Sequence, residues 1–224
     1  IHKAFAAREH KPMDADQVYE FYWAKTERRL QDEARLTAIA PLLNAESLII
    51  NDVRYPGWQA CRPVLQDRLR RIAASCRPTL IHGDLCCGNI LYDPRTSLIK
   101  FIDPRGEFFE EGCHGDPRYD MAKLLHSFHG GYDFVLHEMY QLAVLGSDRY
   151  DLTLLRSRSA RDAEVLLFDL LAGTTGYEAA DLRLLEALLF LTMLPFHCDD
   201  GRRQTALYLR GLVLLKEALG ADLS

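Results

Sequence analysis

Helical spacing governs both flanks of this chain, and a short stretch at its centre abandons it. On the N-terminal side, Val18, Phe21, Tyr22, Lys25 and Arg29 recur at helical intervals behind Asp14, an N-cap candidate that follows Pro12. The pattern predicts a helix from Asp14 to about Leu43, ended or kinked by Pro41. Tyr55-Pro56-Gly57 reads as a turn. Pro63 to Cys76 then reads as an amphipathic helix with Val64, Leu65, Leu69, Ile72 and Ala73 on one face. From Tyr119 onward the spacing predicts helices over about 119–129, 133–145, 160–172, 178–194 and 202–219, separated by glycines.

The central stretch is different. Thr79-Leu80-Ile81 is a short apolar run, and a polar loop leads from it to Asn89. Ile90-Leu91-Tyr92, a turn over Asp93-Pro94-Arg95-Thr96-Ser97, and Leu98 to Ile102 read as a small β-hairpin. The expected fold class is mostly α (α+β), one domain overall. Residues 1–78 form an N-terminal helical segment, and 79–224 form a core of the loop, the hairpin and the C-terminal helices.

Composition narrows the function. Hydrophobic residues make up 48% of the chain, enough for a sizeable core. A formal charge of -5 argues against a broad nucleic-acid surface, which needs clustered Lys and Arg. The most apolar stretch, Ala187 to Phe196, is shorter than the roughly 20 residues a membrane helix needs, and no secretory leader is visible. The six cysteines include no CxxC pair, so free thiols in a reducing cytoplasm are expected.

Chemistry concentrates in His82-Gly83-Asp84-Leu85-Cys86-Cys87-Gly88-Asn89 and, beyond the hairpin, in Phe101-Ile102-Asp103. Phosphoryl transfer asks a protein for positioning and for cations that gather charge. One carboxylate must face the acceptor hydroxyl, and a side-chain oxygen with a second carboxylate must hold Mg²⁺. An Asp, an Asn five residues later, a hairpin and then an Asp can supply those groups.

These motifs resemble the aminoglycoside phosphotransferase and choline kinase family, relatives of the protein kinases, whose signature is His-Gly-Asp, four residues, Asn, and later Ile-Asp. Gly115-Asp116-Pro117-Arg118-Tyr119-Asp120-Met121-Ala122 resembles a second family block, Gly-Asp-Pro-x-Tyr-Asp-Leu-Ala. The resemblance implies the helical C-terminal lobe of the protein-kinase-like fold. Asp84 would be the catalytic base or acceptor-orienting carboxylate, and Asn89 and Asp103 would bind Mg²⁺ and, through it, ATP. His82 would pin the loop, and Asp120 would cap a helix and steady the loop. Arg105, which stands where many relatives differ, faces two readings: contact with a phosphate or anionic acceptor, or pairing with a neighbouring carboxylate.

Other residues carry blander readings beside the sharp ones. His126 and His129 are read as partly buried histidines rather than metal ligands, and Cys86 and Cys87 as inert loop residues rather than nucleophiles. Tyr19, Phe21, Tyr22 and Trp23 read as a packing face. His197 and Asp199 follow a helix end; substrate contact is set against a solvated terminus. No glycine-rich phosphate loop and no strand lysine precede the His-Gly-Asp block; Lys3 and Lys11 lie outside strand-like sequence. The expectation is therefore a kinase for a small-molecule hydroxyl, here as a fragment without its N-terminal ATP lobe. Such a fragment would be inactive alone, and its former cleft would be covered by a homodimer partner or by the segment before Asp14. The competing reading is a catalytically silent, kinase-like binding or scaffold module.

Overall fold

The computed structural model describes residues 13–108 and 112–220. Lys3, Lys11 and the segment before Asp14 therefore lie outside the described residues, apart from Met13.

Helix α1 (Ala15–Leu30) begins where the sequence predicts. The Asp14 carboxylate accepts the Asp16 N–H, and Gln17 reaches back to the Asp14 N–H to complete a capping box. It stops at Leu30, however, and turns lead to a short α2 (Ala40–Leu43) with Pro41 in its first turn. The expected helix to Leu43 is thus two helices: the first ends at Leu30, and Pro41 sits at the start of the second, where no N–H is needed.

Strands β1 (Ser47–Ile50) and β2 (Val53–Pro56) follow, joined through Asn51 and Asp52, whose φ angles of 50° and 62° suit a tight hairpin turn. Tyr55 and Pro56 therefore end a strand instead of forming a turn. Gly57 caps α3 (Trp58–Ala74), and a Cβ there would come within 1.9 Å of the Ala45 carbonyl oxygen, so no other residue fits. Pro63 lies inside α3, not at its start. The carbonyl it leaves without a donor, at Gln59, belongs to an exposed residue that water can reach.

The centre holds β3 (Thr79–Leu80), a 3₁₀ turn at Cys87–Asn89, the hairpin β4 (Ile90–Asp93) and β5 (Leu98–Phe101), and β6 (His114–Gly115), which pairs with β3. The hairpin stands out from the body, leaving Leu91, Tyr92, Leu98, Ile99 and Phe101 exposed.

Helix α4 (Pro117–Phe128) and the short α5 (Tyr132–Leu136) come next. The helix expected over 133–145 is not there. The chain instead forms β7 (Tyr140–Val144) and β8 (Arg149–Leu154). β8 runs parallel to β1 and completes a four-stranded sheet in the order β2-β1-β8-β7. Leu142, Tyr150 and Leu152 point inward with a period of two, and the Asn51 side chain exchanges two hydrogen bonds with the Leu152 backbone, extending the ladder beyond the strand end. Helices α6 (Arg158–Thr174), α7 (Ala179–Met193) and α8 (Gly201–Leu219) finish the described chain close to their expected spans.

Helix α7 is the core: Leu182 and every residue from Leu184 to Thr192 are buried, and it packs against α8, α4 and α1. With helices dominant and small sheets at the edge, the fold class is mostly α (α+β), as expected. Among the described residues no helix is long and apolar enough to cross a membrane.

Buried polar groups cluster around α4. His129 Nδ1 lies 2.8 Å from the fully buried Glu186 carboxylate, so its partner comes from α7 and not from its own helix. Among the described residues no three or more His, Cys, Asp and Glu side chains gather into a metal-binding cluster, so neither histidine sits in one. His126 is buried with both ring nitrogens unpartnered, stacked 4.3 Å from the Tyr132 ring. Burial, with Lys123 and His197 nearby, drives its pKa well below the ordinary 6.5. The folded protein therefore keeps His126 neutral while the unfolded chain takes up a proton below pH 6.5. Stability should fall as the pH drops below that value, by about 1.4 kcal/mol per unit from this residue. Burial and Arg203 lower His197 too, adding to the same slope. His126→Phe should flatten the dependence, measured by urea denaturation at pH 7.5 and 5.5; an unchanged slope would refute the assignment.

Candidate active site

The loop between β3 and β4 is held from below by Asp120. Its Oδ2 accepts the His82 N–H at 2.8 Å and its Oδ1 accepts the Gly83 N–H at 2.7 Å, and the carboxylate is fully buried. Gly83 has φ 77° and a Cβ there would strike Arg105 Cβ at 2.7 Å, so the loop and the segment after β5 meet through a glycine. Asp120 is accordingly a loop anchor and not a helix cap. The cap of α4 is Asp116, which accepts the Arg118 N–H ahead of Pro117 at the first helical position. The Asp-Pro pair in the sequence carried that signal.

His82 joins the two halves of the site. Its Nε2 lies 2.9 Å from the Ile102 carbonyl oxygen, and its Nδ1 accepts the Asp84 N–H at 3.3 Å, which sets the proton on Nε2. The backbone adds Arg105 N–H to His82 O at 2.9 Å and Ile102 N–H to Asn89 O at 3.0 Å. These bonds bring Asp103 beside the loop that carries Asp84 and Asn89, as the hairpin reading expects.

Asp84 and Asp103 line one cavity of about 330 Å³ together with Arg29, Arg105, Tyr119, Lys123 and an apolar wall from α7. Asn89 stands behind Asp84, donating from Nδ2 to the Asp84 carbonyl at 2.9 Å and to its Oδ2 at 3.1 Å. With the amide nitrogen so engaged, Asn89 has only Oδ1 to offer a cation. The Asp103 carboxylate has no hydrogen-bond or ion-pair partner among the described residues, and its backbone sits at φ 54°, a left-handed conformation that Asp tolerates better than bulkier residues. Two hard oxygen donors without competing partners fit Mg²⁺, which takes one or two protein oxygens and fills its shell from water and phosphate.

Lys123 was not among the residues singled out in sequence. It projects from α4, one turn beyond Asp120, and its Nζ lies 2.7 Å from Asp84 Oδ1. Burial works against its charge, yet Tyr119 and Asp84 outweigh burial and hold its pKa above the ordinary lysine value. The signal available in sequence was its i, i+3 spacing from Asp120, which places both on one helix face.

Two expected contacts are not brought here. His197 is turned inward, 2.9 Å from the Tyr132 hydroxyl, and Asp199 pairs with Arg203 on the exposed side; neither lines the cavity. The 3₁₀ turn Leu194–His197 presents Phe196 to the cavity and rotates His197 away. Burial, then Asp84, pushes the Cys86 thiol up, and burial does the same to Cys87, so both remain protonated thiols in keeping with inert loop residues. Phe21 stacks on Phe108 with centroids 3.9 Å apart and Trp23 on Trp58 at 6.0 Å, so the aromatic run packs. A larger cavity of about 510 Å³, between α1 and the start of α3, contains none of the loop residues.

The model of the phosphotransferase enzyme family matches residues 4–154, which takes in α1, the loop, the hairpin and the four-stranded sheet. No curated protein and no solved structure matches the chain.

Proposed function

The chain belongs to the phosphotransferase enzyme family, and from that premise we propose that it transfers the γ-phosphoryl group of ATP to a hydroxyl of a small molecule. The observation that carries this reading is the shared cavity of Asp84 and Asp103, with Asn89 hydrogen-bonded to Asp84. Asp84 orients the acceptor hydroxyl and takes its proton. Asn89 Oδ1 and the Asp103 carboxylate hold Mg²⁺, which when bound neutralises charge on the transferring phosphoryl group. Lys123 fixes the Asp84 carboxylate and places a second positive charge beside the reacting oxygens. His82 and Asp120 position the loop without touching the reactants. Six free cysteines suit a reducing cytoplasm.

The described residues supply the base and the metal ligands. No glycine-rich phosphate loop lies among the described residues. Calorimetry on the intact protein tests the metal side. Asp103→Asn should weaken Mg²⁺-dependent ATP binding at least about tenfold, the scale of disturbing a metal's ligand shell. Equal affinity in the two proteins would remove Asp103 from the metal site.

A further inference from the structure

Among the described residues, positive side chains outnumber the carboxylates that line the cavity. Arg29 donates from Nη1 to the Thr192 carbonyl at 2.8 Å and lies over the Phe196 ring at 4.7 Å. Arg105 lies 3.2 Å from the Tyr119 hydroxyl through Nη1. Neither guanidinium has a carboxylate within ion-pair distance among the described residues, although both line the cavity. Behind them is Lys25, 9% exposed, its ammonium 3.6 Å from the centre of the Phe21 ring and likewise without an acidic partner among the described residues. Burial first, then Arg105, Arg29 and Lys123, depress its pKa well below the ordinary lysine value, so its charge is the most easily lost of this group. Against them stand Asp84, already paired with Lys123, and Asp103. Among the described lining residues the balance is positive, in a chain whose net charge is -5.

An unpaired guanidinium at a cavity wall matches the planar oxygens of carboxylate and phosphate. We propose that Arg29 and Arg105 bind an oxyanion carried by the acceptor, so that the substrate is a small hydroxylated acid or phosphate ester. Its hydroxyl points to Asp84 and its apolar part lies against Leu189 and Met193. This assignment rests on the phosphotransferase reading for the role of the hydroxyl, but the oxyanion site itself does not. A cavity of about 330 Å³ is at the small end of ligand sites, which suits a molecule of a few carbons. A polycationic acceptor would meet repulsion from Arg29, Arg105 and Lys123.

The test is calorimetric titration of the intact protein with glycerate, inorganic phosphate, glycerol and choline, each with and without Mg-ATP. Glycerate and phosphate should bind and compete with each other, while glycerol and choline bind at least about tenfold more weakly. Arg105→Gln, in an exposed loop, and Arg29→Gln should each weaken the anions about tenfold or more. Arg29→Gln also loses a bond to Thr192, so its melting curve is recorded, and Arg105→Gln decides the matter if Arg29→Gln is unfolded. Choline binding as tightly as glycerate, or anions binding both folded variants as tightly as wild type, would overturn the proposal. So would phosphate that competes with ATP and not with glycerate, since the oxyanion would then be the nucleotide's. Anion binding that obeys these rules without any phosphoryl transfer would leave the subsite standing and defeat the phosphotransferase reading. Transfer to a cationic acceptor, unchanged in Arg105→Gln, would do the reverse.

Discussion

Asp84→Ala should lower acceptor-dependent ADP release by the intact protein about 10²- to 10⁴-fold, the usual contribution of a positioned general base. The loop that carries Asp84 is anchored elsewhere, through Asp120 to the His82 and Gly83 amides and through His82 to Ile102, so removing the carboxylate leaves the loop in place. Lys123, however, loses its counterion, and a buried ammonium without a partner destabilises the fold. The melting temperature must therefore be recorded beside the rate. Asp84→Asn is the sharper variant, since it retains an oxygen toward Lys123 and removes the capacity to accept the proton. Full turnover by either folded variant would show that the acceptor is activated by another group.

Arg118→Ala should cost about 3–5 kcal/mol of stability, the toll for stranding a buried charge. Arg118 and Asp116 are 2% and 0% exposed, and their bond measures 2.7 Å. The guanidinium also donates to the Ile72 carbonyl at 2.6 Å and the Ser75 hydroxyl at 2.8 Å, tying the end of α3 to the start of α4. Asp116 in turn accepts from the Tyr22 hydroxyl on α1 at 3.2 Å. Three helices thus meet at one ion pair, and among the described residues no other cation pairs with Asp116. At about 2–4 °C per kcal/mol for a chain of this size, the melting point should fall on the order of 10 °C. A drop of less than about 1 kcal/mol in urea denaturation would mean that water reaches Asp116 and that the junction is not sealed. Replacing both partners by apolar residues should recover much of the loss, because the cost lies in the unpaired charge.

Local signals read well from sequence wherever a segment's structure depends on its own residues. The N-cap at Asp14, the β4–β5 hairpin around its Asp-Pro turn, and the C-terminal helices with glycines between them all follow from side chains a few positions apart. Asp84, Asn89 and Asp103 belong to the same category, because the hairpin that returns Asp103 to Asn89 is itself local.

What escaped was decided by contacts between distant segments. Tyr140 to Val144 is apolar enough to suit either a helix or a strand, and it became a strand because β8 pairs with it on one side and with β1, a hundred residues earlier, on the other. Arg29 reads as part of the spacing of an ordinary helix, and it faces a cavity because α1 packs against α7. Lys123 gained its role when α4 docked beneath the loop. The sequence by itself therefore determined the loop, its three polar residues and most of the helices, since spacing and capping act within a few residues. The charge surrounding that loop was left to the tertiary structure, because charge on a cavity wall depends on which helices meet there, and packing alone settles that.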